Sequence, residues 1–270
     1  MKRDPNTVFE GSIPENYDRY LGPVLFEPYA QDIIARLRGE RAKSVLETAS
    51  GTGILTRWLR DSLPPPVRIV ATDLNPGMLA FAQAKFSPAE NVQWLEADAS
   101  ALPFSDGSFD AVVCQFGLMF VPDKEAAIRE AYRVLRPSGL FLFNVWDSME
   151  HNPFARIAHK TIASFFDRNP PNFYELPFSF YDTDLIRSLL LRAGFKAIEN
   201  SLVTLPCRSS SAAEFATGLV RGNPVTNAVE ERGANVDDVA TAVREEIARR
   251  LGAAPVESTM QAFIWRANRQ

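Results

Sequence analysis

A short apolar run that leads straight into a glycine turn constrains this chain more than any other segment. Residues 44–48 read as a strand, residues 49–53 (Ala-Ser-Gly-Thr-Gly) as a turn, and a helical pattern begins at Ile54. A second apolar run, residues 67–72, is closed by Asp73, twenty residues after the turn. Strand, glycine turn, helix, strand and acid in this order are typical of a ligand site at one edge of an open α/β sheet.

Apolar runs and helical patterns alternate through the first half of the chain. The predicted strands lie near residues 44–48, 67–72, 91–96, 109–115 and 139–146, and the predicted helices near residues 53–62, 76–86 and 123–135. This alternation implies a parallel sheet that is covered on both faces. Pro137 is expected to stop the third of these helices, because proline cannot continue one, and Ser138-Gly139 to turn the chain into the next strand.

The chain is interpreted as a single domain overall, made of four segments. These are an N-terminal arm (1–38), a core (39–146), an aromatic insertion or lid (147–182), and the remainder of the sheet with a helical insertion (183–270). The arm has helical spacing that is expected to break near Gly22-Pro23 and Pro28. In the last segment we expect a helix that ends at Gly194, a strand over 195–205, helices over 212–220 and 236–251, and a final strand over 260–265.

Composition argues against several classes of function. The formal net charge is −4 and no run of Lys and Arg occurs, whereas a nucleic-acid-binding surface needs a basic face. The two cysteines, Cys114 and Cys207, form no C-x-x-C pair, so neither a metal site nor a disulfide framework is expected. No signal-peptide pattern or membrane span is found in the sequence, so we expect a cytoplasmic protein.

Glu47, an acid at the end of the first strand, discriminates best between ligands. Residues 51–56 come close to the dinucleotide fingerprint G-x-G-x-x-G but have Thr56 at the third glycine. A carboxylate is repelled by a pyrophosphate but attracts a cationic group, such as the amino group or the sulfonium of S-adenosylmethionine. The alternative is that Glu47 is a surface carboxylate at a strand end.

Further motifs support the interpretation that Glu47 faces the cationic end of a ligand. They are Glu47-Thr48-Ala49-Ser50-Gly51-Thr52-Gly53, Thr72-Asp73-Leu74-Asn75-Pro76-Gly77-Met78, Glu96-Ala97-Asp98-Ala99 with Leu102-Pro103-Phe104, Ser108-Phe109-Asp110, Gln115-Phe116-Gly117, and Arg133-Val134-Leu135-Arg136-Pro137-Ser138-Gly139. With these motifs the chain resembles the class I S-adenosylmethionine-dependent methyltransferases, most of all the small-molecule group that includes the ubiquinone/menaquinone-biosynthesis C-methyltransferases. The resemblance covers residues 10–145 well and the rest loosely. The family usually has glycine in place of Ala49, and alanine is tolerated there if its φ is negative.

The resemblance implies a doubly wound, Rossmann-like α/β fold. Its sheet would be seven-stranded and mostly parallel, with an antiparallel last strand beside the fifth, and it would carry an N-terminal helical arm and helical and aromatic insertions. The implied cofactor is S-adenosyl-L-methionine, and the implied partner is a small-molecule methyl acceptor. The residues assigned to the cofactor are Tyr17, Tyr20, Glu47, Ala49, Ser50, Gly51, Gly53, Asp73, Leu74, Met78, Asp98, Ala99, Gln115 and Phe116.

Each assigned group has an expected role. Glu47 would orient the amino end of the cofactor, Asp73 would accept from the ribose hydroxyls, and Asp98 would accept from the adenine amino group. The glycine turn would supply backbone, and Leu74 and Met78 would pack against adenine. Five of these residues have structural alternatives: Met78 and Phe116 as core, Asp98 as a cap for a helix over 99–103, and the arm tyrosines Tyr17 and Tyr20 as one face of an amphipathic helix.

The chemistry asks little of side chains, because a sulfonium methyl group is already electrophilic and positioning supplies much of the rate. Where the acceptor must lose a proton a base is needed, and His151, just after the fifth strand, is the candidate; a surface histidine is the alternative. The aromatic insertion suits an apolar or planar acceptor, but also a homodimer interface or plain core. An NAD-dependent oxidoreductase and a non-catalytic or repurposed S-adenosylmethionine-binding protein remain as alternative functions.

Overall fold

The computed structural model describes residues 5–270, and its main element is a seven-stranded sheet. The strands are β1 (Ser44–Thr48), β2 (Arg68–Asp73), β3 (Val92–Glu96), β4 (Phe109–Gln115), β5 (Leu135–Trp146), β6 (Lys196–Ser209) and β7 (Val256–Asn268). They lie in the order β3-β2-β1-β4-β5-β7-β6. Strands β1 to β5 pair in parallel, and β7 pairs antiparallel with β5. The predicted doubly wound sheet, with its antiparallel last strand beside the fifth, is confirmed.

The order of the strands defines where a ligand is expected. From β1 the chain moves outward through β2 to β3, and then returns to place β4 on the other side of β1. The carboxyl ends of β1 and β4 therefore flank the point where the winding reverses, which is the usual ligand crevice of an open α/β sheet. β1 is buried along its whole length, because helices cover both faces of the central strands.

The helices connect and flank these strands. They are α1 (Ile13–Asn16), α2 (Glu27–Leu37), α3 (Ile54–Ser62), α4 (Pro76–Ala84), α5 (Lys124–Val134), α6 (Pro153–Ala163), α7 (Thr183–Ala193), α8 (Ala212–Arg221), α9 (Val225–Glu231) and α10 (Val236–Leu251). The predicted end of α7 at Gly194 is confirmed, since this glycine has a φ of 103° and its N–H bonds the last turn. Helix α9 was not predicted.

The N-terminal arm is helical without a break from residue 13 to residue 37, because a π-helix (Tyr17–Phe26) joins α1 to α2. The predicted breaks at Gly22-Pro23 and Pro28 are therefore wrong. A proline disrupts an α-helix by removing a hydrogen bond and by clashing with the carbonyl four residues before it. In the π-helix the N–H of Glu27 donates to the carbonyl of Gly22, five residues back, and this wider turn accommodates Pro23.

The end of α5 also differs from the prediction. The helix ends at Val134 and β5 begins at Leu135, so Pro137 lies within the strand and does not stop the helix. The Nη1 atom of Arg269 donates to the carbonyls of Tyr132, Arg133 and Leu135 at 2.6–3.1 Å. This side chain satisfies carbonyls at the helix end, and the N–H of Gly107 also donates to the carbonyl of Arg133, at 3.0 Å.

By its internal contacts the chain divides into two compact units. The sheet unit contains residues 29–146, 180–203 and 262–270, and the helical unit contains the described part of residues 1–28 together with residues 147–179 and 204–261. The predicted segment bounds stay predictions. None of the helices in the described part of the chain is long and apolar enough to cross a membrane.

Candidate active site

The glycine turn follows β1 and is fixed by backbone hydrogen bonds. The N–H of Ser50 donates to the carbonyl of Thr72 at 2.9 Å, which ties the turn to the end of β2. Gly51 and Gly53 have φ values of 55° and 78°, in the region that favours glycine. A Cβ on Gly53 would lie 3.1 Å from the Cβ of Ala82, whereas a Cβ on Gly51 would meet nothing within 4 Å. Gly53 thus allows close packing, and Gly51 borders open space beside the turn.

Ala49 is the first residue of the turn. Alanine was expected to be tolerated at this position if its φ were negative, and the structure does not meet this condition. Its φ is 54°, in the left-handed region, where a Cβ costs roughly 1–2 kcal/mol. Its Cβ lies against Gly117, the residue that begins the turn after β4. A Cβ on Gly117 would clash with the Cβ of Ala49 and would lie 2.8 Å from the Sγ of Cys114. The two turns that flank the crevice are therefore in direct contact.

Glu47 is buried, with 1% of its surface exposed, so the surface-carboxylate alternative is wrong. The Oγ1 of Thr56 donates to its Oε2 at 2.6 Å. Burial, with a smaller contribution from the charge of Asp73, raises the pKa of Glu47 from 4.5 to about 8. Thr56, the residue at the third glycine of the dinucleotide fingerprint, is thus the hydrogen-bond partner of the strand-end acid. A cation placed beside Glu47 would favour its ionised form.

Asp73, at the end of β2, connects the two motifs. Its Oδ2 accepts from the N–H of Gly51 and its Oδ1 from the N–H of Asn75, both at 2.8 Å. Burial nevertheless raises the pKa of Asp73 above its ordinary value. The side chain of Asn75 and the backbone of Leu74 also donate to this carboxylate, so Asp73 fixes its own loop as well as the glycine turn.

Three buried polar atoms near the two turns have no hydrogen-bond partner: Ser50 Oγ, Thr52 Oγ1 and Asn144 Nδ2. Ser50 and Thr52 belong to the glycine turn, and the Oδ1 of Asn144 accepts from the N–H of Phe116 at 2.9 Å. Buried polar groups in folded proteins are nearly always paired, so these atoms fit a site that takes a polar ligand. Thr52 and Asn144 were not predicted, although a lone amide in the apolar run of β5 was a signal.

The residues expected around adenine differ in exposure. Leu74, after β2, is 43% exposed, whereas Met78 in α4 is 4% exposed. Asp98 is exposed, and its Oδ1 accepts from both the N–H and the Oγ of Ser100. This is an Asx turn, and residues 99–103 are not helical, so the cap alternative for Asp98 is wrong. Ala99 follows Asp98 and is half-buried. The adenine assignments stay predictions.

An aromatic cluster of Tyr29, Phe116 and Trp146 lies at the ends of β4 and β5. Phe116 has a φ of 50° and its ring stacks on Trp146, with centroids 3.9 Å apart. The ring of Tyr29 meets both edge-on, at 5.2 and 5.5 Å. Phe116 is buried and Gln115 beside it is half-buried, so the core alternative for Phe116 agrees with its burial. Their contact with cofactor or acceptor stays a prediction.

The structure brings the strand-end acids and both turns together in the sheet unit, whereas three predicted residues lie in the helical unit. Tyr17 stacks on Phe26 at 4.6 Å, and the guanidinium of Arg19 lies 5.2 Å from the ring centre of Tyr20. His151 has a partner that the sequence did not reveal: its Nδ1 lies 2.9 Å from the Oδ2 of Asp147. The roles of the two tyrosines toward the cofactor stay predictions.

This geometry agrees with what comparison with known proteins shows. Residues 46–143 match the family model described as a methyltransferase domain. This segment is therefore similar to the class I S-adenosylmethionine-dependent methyltransferases, among them those of ubiquinone/menaquinone biosynthesis, and the resemblance seen in its motifs is confirmed. S-adenosylmethionine is the cofactor of that family, and the partnerless polar atoms and strand-end acids described above fit it. No group of three or more metal-binding side chains lies within residues 5–270.

The chain is similar to demethylmenaquinone methyltransferase of Staphylococcus epidermidis, with 32% identity over 142 residues, which are 52% of this chain and 58% of that protein. It is 42% identical over 102 residues to the ubiquinone/menaquinone biosynthesis C-methyltransferase of Hahella chejuensis, covering 37% of this chain and 41% of that relative. The chain thus spans about two- to three-fifths of the length of the curated relatives it matches.

The fold is shared with solved methyltransferase structures. Phosphoethanolamine N-methyltransferase 2 of Haemonchus contortus, solved in complex with S-adenosyl-L-methionine, superposes with a TM-score of 0.60 at 14% identity, covering 95% of this chain and 56% of that one. At this identity the likeness shows the fold alone.

Proposed function

We propose that the protein transfers the methyl group of S-adenosylmethionine to a small apolar or aromatic acceptor. The observation that carries the proposal is the pair of buried acids, Glu47 and Asp73, at the ends of neighbouring strands. They flank a glycine turn with open space beside Gly51. The cofactor has a cationic amino end and a ribose with two hydroxyls, and these are the groups that a paired arrangement of strand-end acids can recognise.

In this proposal the protein binds and orients. Glu47 would hold the amino end, and Asp73 would accept from the ribose hydroxyls, which would replace or share hydrogen bonds that its own loop now makes. Ser50 and Thr52 would offer their partnerless hydroxyls to polar groups of the same ligand. When bound, S-adenosylmethionine supplies an activated methyl group. The residues around it have to align the acceptor and exclude water, which alone accounts for a large part of the rate of such a reaction.

The names of the relatives guide the choice of acceptor. They act in menaquinone and ubiquinone biosynthesis, which makes a reduced quinone ring the first acceptor to test. No comparison favours the NAD-dependent alternative. Thr56 stands where the dinucleotide fingerprint has its third glycine, and its hydroxyl donates a hydrogen bond to the buried Glu47. We propose a cytoplasmic location, which is supported by two free buried thiols that suit a reducing compartment.

Turnover tests the proposal directly. The purified protein would be incubated with S-adenosylmethionine carrying a ¹³C-methyl group and with 1,4-dihydroxynaphthalene, and both products would be measured by mass spectrometry. We expect equal amounts of S-adenosylhomocysteine and labelled acceptor, and a strong loss of both in Asp73→Ala. Asp167→Ala, which changes an exposed aspartate, is the matched control and should leave the rate unchanged. A protein that neither binds the cofactor nor forms product would contradict the proposal.

A further inference from the structure

We propose that Thr56 is a positioning residue of the cofactor site: its hydroxyl holds the buried carboxylate of Glu47, and capture of the cationic amino end of S-adenosylmethionine drives the proton of Glu47 into solvent. This inference rests on the proposed function and adds to it one residue and a proton-coupled binding step. Both side chains belong to the sheet unit, with Glu47 near the end of β1 and Thr56 in the first turn of α3.

The start of α3 explains why Thr56 reaches the acid. Gly53 is the N-cap of this helix, with a φ of 78°, so the helix begins directly after the glycine turn, at Ile54. The third helical residue, Thr56, is fully buried, and its Oγ1 donates to the Oε2 of Glu47 at 2.6 Å. A threonine inside a helix often bonds a carbonyl of the preceding turn. Here its hydroxyl bonds the neighbouring strand, so it serves the acid.

Glu47 is buried without a positive partner from the protein. Within residues 5–270 its carboxylate makes no ion pair, and the Oγ1 of Thr56 is its one hydrogen-bond donor. Burying an unpaired carboxylate is costly, so such a group takes up a proton instead. Burial accordingly raises the pKa of Glu47 to about 8, although the hydrogen bond from Thr56 acts in the opposite direction. In the free protein Glu47 is therefore mostly protonated at pH 7.

The elements that pack against β1 bring no positive charge to Glu47. Strand β2 contributes Asp73, whose charge adds to the rise in the pKa of Glu47. Strand β4 contributes Cys114, a buried thiol whose pKa is raised to about 11, so it is uncharged at neutral pH. The arginines of α3 are engaged elsewhere: Arg57 pairs with two other carboxylates, and Arg60 donates to backbone carbonyls of residues 63–67. Among the described residues, Glu47 is therefore left for a cation that the ligand brings.

Binding of such a cation is coupled to the proton. An ammonium group is attracted by the ionised carboxylate and not by the protonated one, so its binding pulls Glu47 into the ionised form. The proton leaves the carboxyl oxygen for solvent, and the ammonium group takes its place as the partner of the carboxylate. Thr56 keeps the carboxylate in one orientation, and its hydrogen bond stabilises the ionised form that the ammonium group requires.

The first test counts protons on the wild type. Calorimetric titration with S-adenosylhomocysteine at pH 7, in phosphate and in Tris, gives the number of protons released, because the two buffers differ in ionisation enthalpy. We expect roughly one proton per ligand bound, and none from Glu47→Gln. 5′-Methylthioadenosine, which has the nucleoside but no amino end, should release none from the wild type. No proton released with S-adenosylhomocysteine, or equal release with both ligands, would overturn the coupling.

The second test measures the Kd of S-adenosylhomocysteine between pH 6 and pH 9. Thr56→Val keeps the shape of the side chain but removes the donor, so the Kd at pH 7 should rise about tenfold or more and binding should tighten only at higher pH; Thr56→Ser should restore both. Thr72→Val is the matched control, because the buried Oγ1 of Thr72 donates to the backbone carbonyl of Glu47, at 3.0 Å, and not to its carboxylate. Its pH profile should match that of the wild type.

The outcomes separate this inference from the proposed function. A wild type that fails to bind S-adenosylhomocysteine contradicts the proposed function. A wild type that binds it without releasing a proton, or a Thr56→Val variant with the wild-type pH profile, overturns only this inference. The proton count needs no substitution at Thr56, so it decides the coupling even where a variant fails to fold.

Discussion

The contact between the two turns at the crevice predicts a specific energetic coupling between Ala49 and Gly117. Gly117 has a φ of −104°, which any residue can adopt, so its backbone conformation does not require glycine. Glycine is needed there because the Cβ of Ala49 lies so close. Gly117→Ala would force a methyl group against the Cβ of Ala49, and overpacking of this kind costs about 1–3 kcal/mol. The substitution should therefore lower the free energy of unfolding and displace the turn after β4 from the glycine turn.

Ala49→Gly should have a small effect alone, because two contributions oppose each other. It relieves about 1–2 kcal/mol of left-handed backbone strain. It also lowers the stability by about 0.4–1 kcal/mol, because glycine has more conformational entropy in the unfolded chain. In the Ala49→Gly background, Gly117→Ala should cost at least about 1 kcal/mol less, since only the Sγ of Cys114 still opposes the new methyl group.

Urea unfolding of the wild type, both single variants and the double variant gives the coupling energy. Gly233→Ala is the matched control: it places a Cβ at a φ of 77° but in open space, so its cost should be the same in both backgrounds. Calorimetric binding of S-adenosylhomocysteine should weaken in Gly117→Ala and recover in the double variant. A coupling below about 0.5 kcal/mol, which is within ordinary additivity, would refute the steric argument.

Three further predictions concern the acids and the segment after β5. Because burial raises the pKa of Glu47 from 4.5 to about 8, the folded state binds an extra proton in this range; stability should fall as the pH rises through it, and melting curves of Glu47→Gln should lack that slope. Asp73→Ala should weaken S-adenosylhomocysteine binding by one to two orders of magnitude, since a charged acceptor contributes about 1.5–3 kcal/mol; an unchanged Kd in the folded variant would remove Asp73 from the site. Asn152→Ala removes the partner of the Asp147 carbonyl and of the Gln261 N–H and should cost about 2–4 kcal/mol in urea unfolding; a loss below about 0.5 kcal/mol would show that the loop is held otherwise.

The sheet could be predicted from sequence because its signals are local. The apolar runs of β1, β2 and β4 are short and end in turn residues, and the family resemblance implied the winding and the antiparallel last strand. The helical arm was harder, since its prolines indicate breaks in an α-helix and only the wider hydrogen-bond pattern of the π-helix accommodates Pro23. Likewise, the end of α5 before Pro137 is stabilised by residues distant in sequence, since Arg269 and the N–H of Gly107 both donate to the carbonyl of Arg133.

The sequence indicated candidate residues for the site, but it did not indicate which residues they contact. Motif spacing identified Glu47 and Asp73, but their partners Thr56 and Gly51 depend on how the turn folds. The φ of Ala49 could not be read from its neighbours, because left-handed alanine occurs only where the surrounding structure imposes it. Asp147, four residues before His151, was visible in the sequence, yet only the folded loop shows that their side chains meet.

The central claim, that two buried strand-end acids and a glycine turn bind the sulfonium cofactor, is tested most directly by calorimetric titration of the purified protein with S-adenosylmethionine, S-adenosylhomocysteine and NAD. We predict saturable one-to-one binding of the two sulfur ligands and none of NAD, with an affinity for S-adenosylmethionine that increases as the pH rises toward 8, where Glu47 ionises. Binding of NAD alone, or of none of the three, would contradict the account.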